Sequence, residues 1–356
     1  MVELKHDTLV FSFPEVHPKA RLRINFQRTL RIPDDGSDYP LPPGLGSFPM
    51  KHVDDYSDSV PAKWLDHGGV MLPMYQSEAL WISIDTDYID EHEAEYPFAI
   101  KIATGKIDAV TGKEWNNNLR RKPQDYLVAP DQDWLDGYCV EKGIIRQFVA
   151  MPLGSGYSVE EQLTGESEHG GLQIEVFPMK RKSFNKHFPK VDRSIRRMIE
   201  LTAMSFNKNN SCKNKKILSD MELASPDMGL APGGRMEQDI DEDPYNLNDW
   251  DQEHSCRCFV HIANSMIWRS VTGENPPTVP PTAKEYTDHE LPWFEYYSEN
   301  GNALNGGKEF EKVKSITKLA KEKNDNPLPE NETVSPTNIV HIPYKKNHDA
   351  VREGNF

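Results

Sequence analysis

The chain has 356 residues, with 41 Lys and Arg against 56 Asp and Glu, a formal net charge of −15, and four cysteines. That charge argues against general nucleic-acid binding, which needs a basic surface for phosphates. Cysteines at 139, 212, 256 and 258 do not form a disulfide framework in so long a chain. No apolar run approaches the roughly 20 residues of a membrane helix, and MVELKHDTLVFSF lacks the basic-then-apolar build of a secretory signal. The expectation is a cytoplasmic protein without membrane contact.

Residues 1–36 read as two strands. Leu22, Ile24, Phe26, Leu30 and Ile32 fall on even positions, with Arg21, Arg23, Asn25, Gln27, Thr29 and Arg31 between them, a period-2 pattern broken by a bulge near Arg28. Residues 33–61 form a Pro/Gly/Asp-rich connection without periodicity, expected to be a functional loop or a surface arm. Strand patterns return at Leu80, Ile82 and Ile84, and at Phe98, Ile100 and Ile102, the latter alternating with Ala99 and Lys101.

The densest structural signal lies between Gln124 and Lys180. Gly143 to Met151 reads as a strand buried on at least one face, and Leu172, Ile174 and Val176 alternate with Gln173 and Glu175. Between them Ser158 and Glu161 make a capping box for a short helix ending at Gly165. Gly154-Ser155-Gly156 is neither a phosphate-binding loop nor a nucleophile elbow. Glu168 beside His169 is a candidate acid/base pair, against which stands an ordinary solvated turn next to Gly170-Gly171.

Lys180 to Lys216 carries twelve Lys and Arg against Asp192 and Glu200, whereas Glu237 to Glu253 carries eight acidic residues and no basic one. The basic run is a solvated insertion, a site for an anionic partner or a nuclear address, with one amphipathic helix expected around Ile195, Met198 and Ile199. Asp239-x-Asp241-x-Asp243 opens like a calcium loop, but Pro244 and Trp250 stand where that loop needs glycine and glutamate. An exposed acidic turn is the better reading.

His254, Cys256, Cys258 and His261 are the one cluster with transition-metal ligand chemistry, although on a strand His261 falls on the face opposite the other three. Zinc sites usually space cysteines by two to four residues, so buried structural cysteines compete with the metal reading. Helices are expected over Ser265 to Thr272, closed by Gly273, from Thr282, and over residues 308–323. Leu291 to Tyr297 (LPWFEYY) is the aromatic peak, and the segment from Asn324 is expected to be disordered apart from a short strand at Ile339 to Ile342.

The blocks PQDYLVAP, RQFVAMPLGSGYSVEEQLTG and LPWFEYY resemble a family of uncharacterised soluble microbial proteins. The resemblance runs from about Tyr39 to Leu319, leaves out the basic insertion and the tail, and implies one integrated unit without implying an activity, a cofactor or a catalytic residue.

Taken together, the sequence predicts a β-rich α+β protein. An antiparallel sandwich or barrel-like core occupies residues 1–180, a basic insertion 181–225, a mixed half packed on the first 226–323, and a tail 324–356. No cofactor is expected beyond the transition-metal alternative. The functional expectation is a non-enzymatic binding or self-assembling protein with a homo-oligomeric or protein partner. The alternative is an enzyme acting on a small molecule in a cleft between the halves, with Arg146, Glu168 and His169 as candidate catalytic residues and His261 beside them.

Overall fold

The computed structural model describes residues 1–191, 227–297 and 303–343. The expected amphipathic helix near Ile195 and most of the basic insertion lie outside these residues. The protein is β-rich and built on two large sheets. The larger has ten strands, along the order Val2–Lys5, Thr8–Ser12, Arg21–Thr29, Ala79–Thr86, Ile144–Pro152, Met228–Glu237 and Asp38–Tyr39, with three short strands paired off this path. The smaller has seven, running Ile107–Asp108, Phe98–Thr104, Leu172–Pro178, Cys256–Asn264, Val70–Met74 and Lys51–His52, with Leu127–Ala129 paired to Phe98–Thr104. Leu22, Ile24, Phe26, Ile82 and Phe148 of one sheet share a continuous core with Ile100, Ile174, Val260 and Leu72 of the other.

Most pairings are antiparallel, but Cys256–Asn264 runs parallel to Val70–Met74, and Met228–Glu237 parallel to Asp38–Tyr39. The sheets are therefore mixed rather than purely antiparallel. They also cut across the expected division into halves. Met228–Glu237 lies between Ile144–Pro152 and Asp38–Tyr39, and Cys256–Asn264 between Leu172–Pro178 and Val70–Met74. Residues 228–264 complete the sheets of the first 180 residues instead of packing on them.

The strand MGLAPGGRME was hidden by its composition, because glycine and proline are poor strand formers. Packing requires the glycines. A Cβ at Gly233 would stand 2.5 Å from Val149 Cγ2, and one at Gly234 2.4 Å from the Pro33 carbonyl oxygen.

The expected wet face of the smaller sheet is covered as well. Lys101, Gln173 and Glu175 are buried. The Lys101 ammonium donates to the carbonyls of Asn116 and Asn118 at 2.8 and 2.9 Å and to Asp125 Oδ2 at 2.9 Å, so the loop after Ile107–Asp108 closes over that face. In the larger sheet Arg28 points inward, where its Nε donates to the buried Glu78 at 2.8 Å, which explains the break in the alternation.

Helix starts follow their caps. Ser158 and Glu161 form the capping box of Val159–Thr164, which ends at Gly165 with φ 77°, and Asn264 caps Ser265–Thr272, which ends at Gly273 with φ 74°. The single helix expected over 308–323 is split. A 3-10 turn, Lys308–Lys312, ends in extended Val313, and Ser315 caps a new helix, Ile316–Lys323.

Two segments expected to be irregular are held to the body. Within 33–61, Leu41, Phe48, Met50 and Val53 are buried. Beyond Asn324, Leu328 and Val334 are buried and Ile339–Pro343 pairs with Trp293–Tyr297. Among the described residues no helix is long and apolar enough to cross a membrane.

Candidate functional site

The segment 238–243 leaves the end of Met228–Glu237 and crosses toward the loop that follows Leu127–Ala129. Among the described residues no backbone ladder joins it to that loop, its main chain bonding instead to Gly143 and Leu304. Three glutamine side chains take the place of one, each amide both donating and accepting. Gln132 Nε2 donates to the Asp239 carbonyl at 3.3 Å while its Oε1 accepts from the Asp241 N–H at 3.2 Å. Gln124 repeats the pattern two residues further, donating to the Asp241 carbonyl at 3.1 Å and accepting from the Asp243 N–H at 2.8 Å. Gln238 reaches the other way, donating to the Trp134 carbonyl at 3.2 Å and accepting from the Asp136 N–H at 3.0 Å. Each clip satisfies two main-chain groups that would otherwise be costly to bury.

Asp243 anchors the far end. Its Oδ2 accepts from Tyr126 Oη, from Trp250 Nε1 at 3.0 Å and from Arg121 Nη1 at 3.2 Å, and its Oδ1 accepts from the Tyr245 N–H at 2.7 Å.

Between the clipped segments opens a cavity of about 300 Å³. Asp131, Asp133, Glu237, Asp239 and Asp241 line it together with Trp134, Leu41, Ile144, Gln132 and Gln238, with no lysine or arginine in its wall among the described residues. Like charge shows in the titration of Glu237. Burial raises its carboxyl above the usual range, and Glu295, Asp38 and Asp239 raise it further. Behind the wall Asp136 is fully buried and pushed up to about 7 by desolvation, with Trp134 donating to it. Although the cavity is acidic, no three His, Cys, Asp or Glu side chains among the described residues converge to hold a metal ion.

The residues singled out from sequence fall elsewhere. Arg146 lies on the larger sheet, donating to the Gly233 carbonyl at 2.9 Å and to Asp34 Oδ1 at 3.3 Å; it shares no partner with Glu168 or His169. Glu168 and His169 are together, Nε2 to Oε2 at 3.6 Å, and His261 is near them through His67. The four residues proposed as metal ligands form no group that could hold an ion among the described residues. His254 bonds Asp251 at 3.0 Å, Cys258 is buried with its thiol pushed up to about 12, and His261 stacks on Trp64 and bonds the Gly68 carbonyl at 3.0 Å.

The sequence reading missed the cleft and also His67 and Lys63. The repeated Gln-Asp pairs at 124, 132 and 238 were visible, but their meaning depends on bringing two segments some hundred residues apart into contact. Compared with known proteins, the chain matches no family model, no curated protein and no solved structure.

Proposed function

We propose that this is a binding protein whose ligand is a small organic cation, held in the acidic cleft between residues 131–134 and 237–241. The observation that carries the reading is a concave site lined, among the described residues, by five carboxylates and no basic side chain. Its volume of about 300 Å³ lies at the lower end of the usual range for small-molecule sites, roughly 300–1,000 Å³. An ammonium at about 4 Å from a carboxylate gains on the order of 1 kcal/mol in bulk water and about 4 kcal/mol near a protein surface. Several such contacts, with a half-buried indole at Trp134 for the ligand's apolar part, favour a protonated amine of a few carbons over a neutral or anionic molecule. Because the carboxylates do not converge in threes, the cleft suits charge spread along a molecule better than the point charge of a metal ion.

The Gln clips support binding rather than turnover: they fix the segment that carries the charges before a ligand arrives, which lowers the ordering cost of association. The experiment is a thermal-shift and calorimetric panel of a diamine, a triamine, a guanidinium-bearing amine and the free basic amino acids, each matched in ionic strength with sodium chloride. A saturable stabilisation by one cation class, weakened by salt and lost in Asp239→Asn with Asp241→Asn, is expected. If every amine behaves as sodium chloride does, the reading fails.

A further inference from the structure

Lys101 sits within the strand Phe98–Thr104 with none of its surface exposed. A lysine so placed is costly unless it is paired, and its partner, Asp125, is buried as well. Lys101 Nζ donates to Asp125 Oδ2 at 2.9 Å, and its bonds to the Asn116 and Asn118 carbonyls, at 2.8 and 2.9 Å, fix the nitrogen against that carboxyl group. The half-buried Trp115 ring lies over Nζ at 5.0 Å. Asp125 is held from its other side, Oδ1 accepting from the Arg120 N–H at 2.7 Å and Oδ2 from Asn116 Nδ2 at 3.1 Å.

A second buried carboxyl group stands beside the pair. The register of the hairpin sets Asp108 opposite Ala103, two residues along the strand from Lys101, so Asp108 and Lys101 leave the sheet on the same face. Asp108 Oδ1 accepts from the Thr111 N–H and hydroxyl, each at 2.7 Å, whereas Oδ2 is enclosed without a hydrogen-bond partner among the described residues. Burial pushes this carboxyl up to about 7 against the Thr111 bond, and the Asp125 charge adds to the rise, so it retains a proton near neutrality. Asp108 and Asp125 line one small cavity of about 10 Å³, close to the roughly 10–15 Å³ that a single water needs.

We propose that Lys101 and Asp125 condense into an isopeptide bond, with Asp108 carrying the proton. Before reaction the pair is an ammonium and a carboxylate. Proton transfer along their 2.9 Å hydrogen bond gives a neutral amine and a neutral acid, the form that an interior without water favours. The Nζ lone pair then attacks Asp125 Cγ, and the displaced electron pair moves onto Oδ1, where the Arg120 N–H receives it. Asp108 gives its proton to Oδ2 and takes one from Nζ. The Cγ–Oδ2 bond breaks, water leaves and Asp108 ends as it began. One amide and one water replace the amine and the acid; nothing is oxidised or reduced, and no co-reactant is needed. Groups held in contact in this way react with effective molarities that reach roughly 10⁵–10⁸ M. The bond closes a loop over residues 24 apart in sequence and ties down the neighbour of Gln124, one of the clips of the acidic segment.

The test is the mass of the purified full chain under denaturing conditions. The wild type is expected to be lighter than its sequence by one water, and its proteolytic digest to contain a branched peptide joining residues 101 and 125. Lys101→Met and Asp125→Ala are expected to have their full sequence masses. In Asp108→Asn the linked fraction, followed in chains harvested at successive times after induction, is expected to grow at least about a hundredfold more slowly. Linkage of that variant at the wild-type rate removes Asp108 from the reaction. A wild-type chain with its full sequence mass, or a lost water that the digest places elsewhere, overturns the inference, and neither reading depends on the stability of a variant.

Discussion

The acidic cleft and the imidazole cluster are both polar, yet they are built in opposite ways. In the cleft the charges lie on segments clipped by Gln124, Gln132 and Gln238 and anchored through the buried Asp243. In the cluster, His67 and Glu168 are exposed, and only the His261 ring behind them is buried. The difference teaches that one site is part of the folding unit and the other is attached to it. Substitutions in the framework of the cleft should therefore cost stability as well as affinity, whereas those in the cluster should leave stability nearly unchanged.

The largest effect is expected at Asp243. Replacing it with alanine leaves Tyr126 and Trp250 without their acceptor, while Arg121 keeps the Asp243 and Tyr245 carbonyls, a loss of about 2–6 kcal/mol at about 1–3 kcal/mol for each stranded buried donor. Urea denaturation measures it, and a loss below about 1 kcal/mol would separate the acidic segment from the core. Next comes Gln132→Leu, which strands the Asp239 carbonyl and the Asp241 N–H. It is expected to cost about 1–3 kcal/mol and to weaken amine binding, the two losses appearing together in denaturation and calorimetry.

Asp136 sharpens the comparison through pH. Its carboxyl is raised from 3.8 to about 7 by burial, so the fold favours the protonated form. The associated stability is fully present below 3.8 and is lost as pH rises through about 7. Asp136→Asn keeps the shape and removes the titration. The variant is expected to be more stable than the wild type at about pH 8, with the gap closing toward about pH 4, as read from denaturation midpoints across that range. The smallest effect is expected at the cluster: His67→Ala changes stability by no more than about 0.5 kcal/mol, as read from denaturation midpoints.

Much of the fold was legible because it rests on local rules. Ser158 with Glu161, Asn264 with Gly273 and the alternation of Leu22, Ile24 and Phe26 specify their elements within a few residues. What was not legible depends on neighbours distant in sequence. Met228–Glu237 is a strand because it pairs with Ile144–Pro152 and Asp38–Tyr39, and Val149 and Pro33 leave room only for glycine beside them. Lys101 reads as a wet-face residue until the Asn116 and Asn118 carbonyls and Asp125 enclose it. At the sites, Glu168 and His169 could be found because histidine beside a carboxylate is a chemical signal by itself. The cleft could not, because glutamines that clip a main chain look like any other polar residues. Asp239-x-Asp241-x-Asp243 gave only a failed calcium loop: two of its carboxylates line the cleft and the third anchors the segment.

The central claim is that the cleft holds an organic cation, and it is tested most directly by calorimetric titration of the best amine from the panel into three proteins: the wild type, Asp239→Asn with Asp241→Asn, and His67→Ala. Saturable binding to the wild type and to His67→Ala, with affinity reduced at least about tenfold in the double variant, roughly 1.4 kcal/mol, is the predicted result. Equal binding by all three proteins, or none by the wild type, would contradict it.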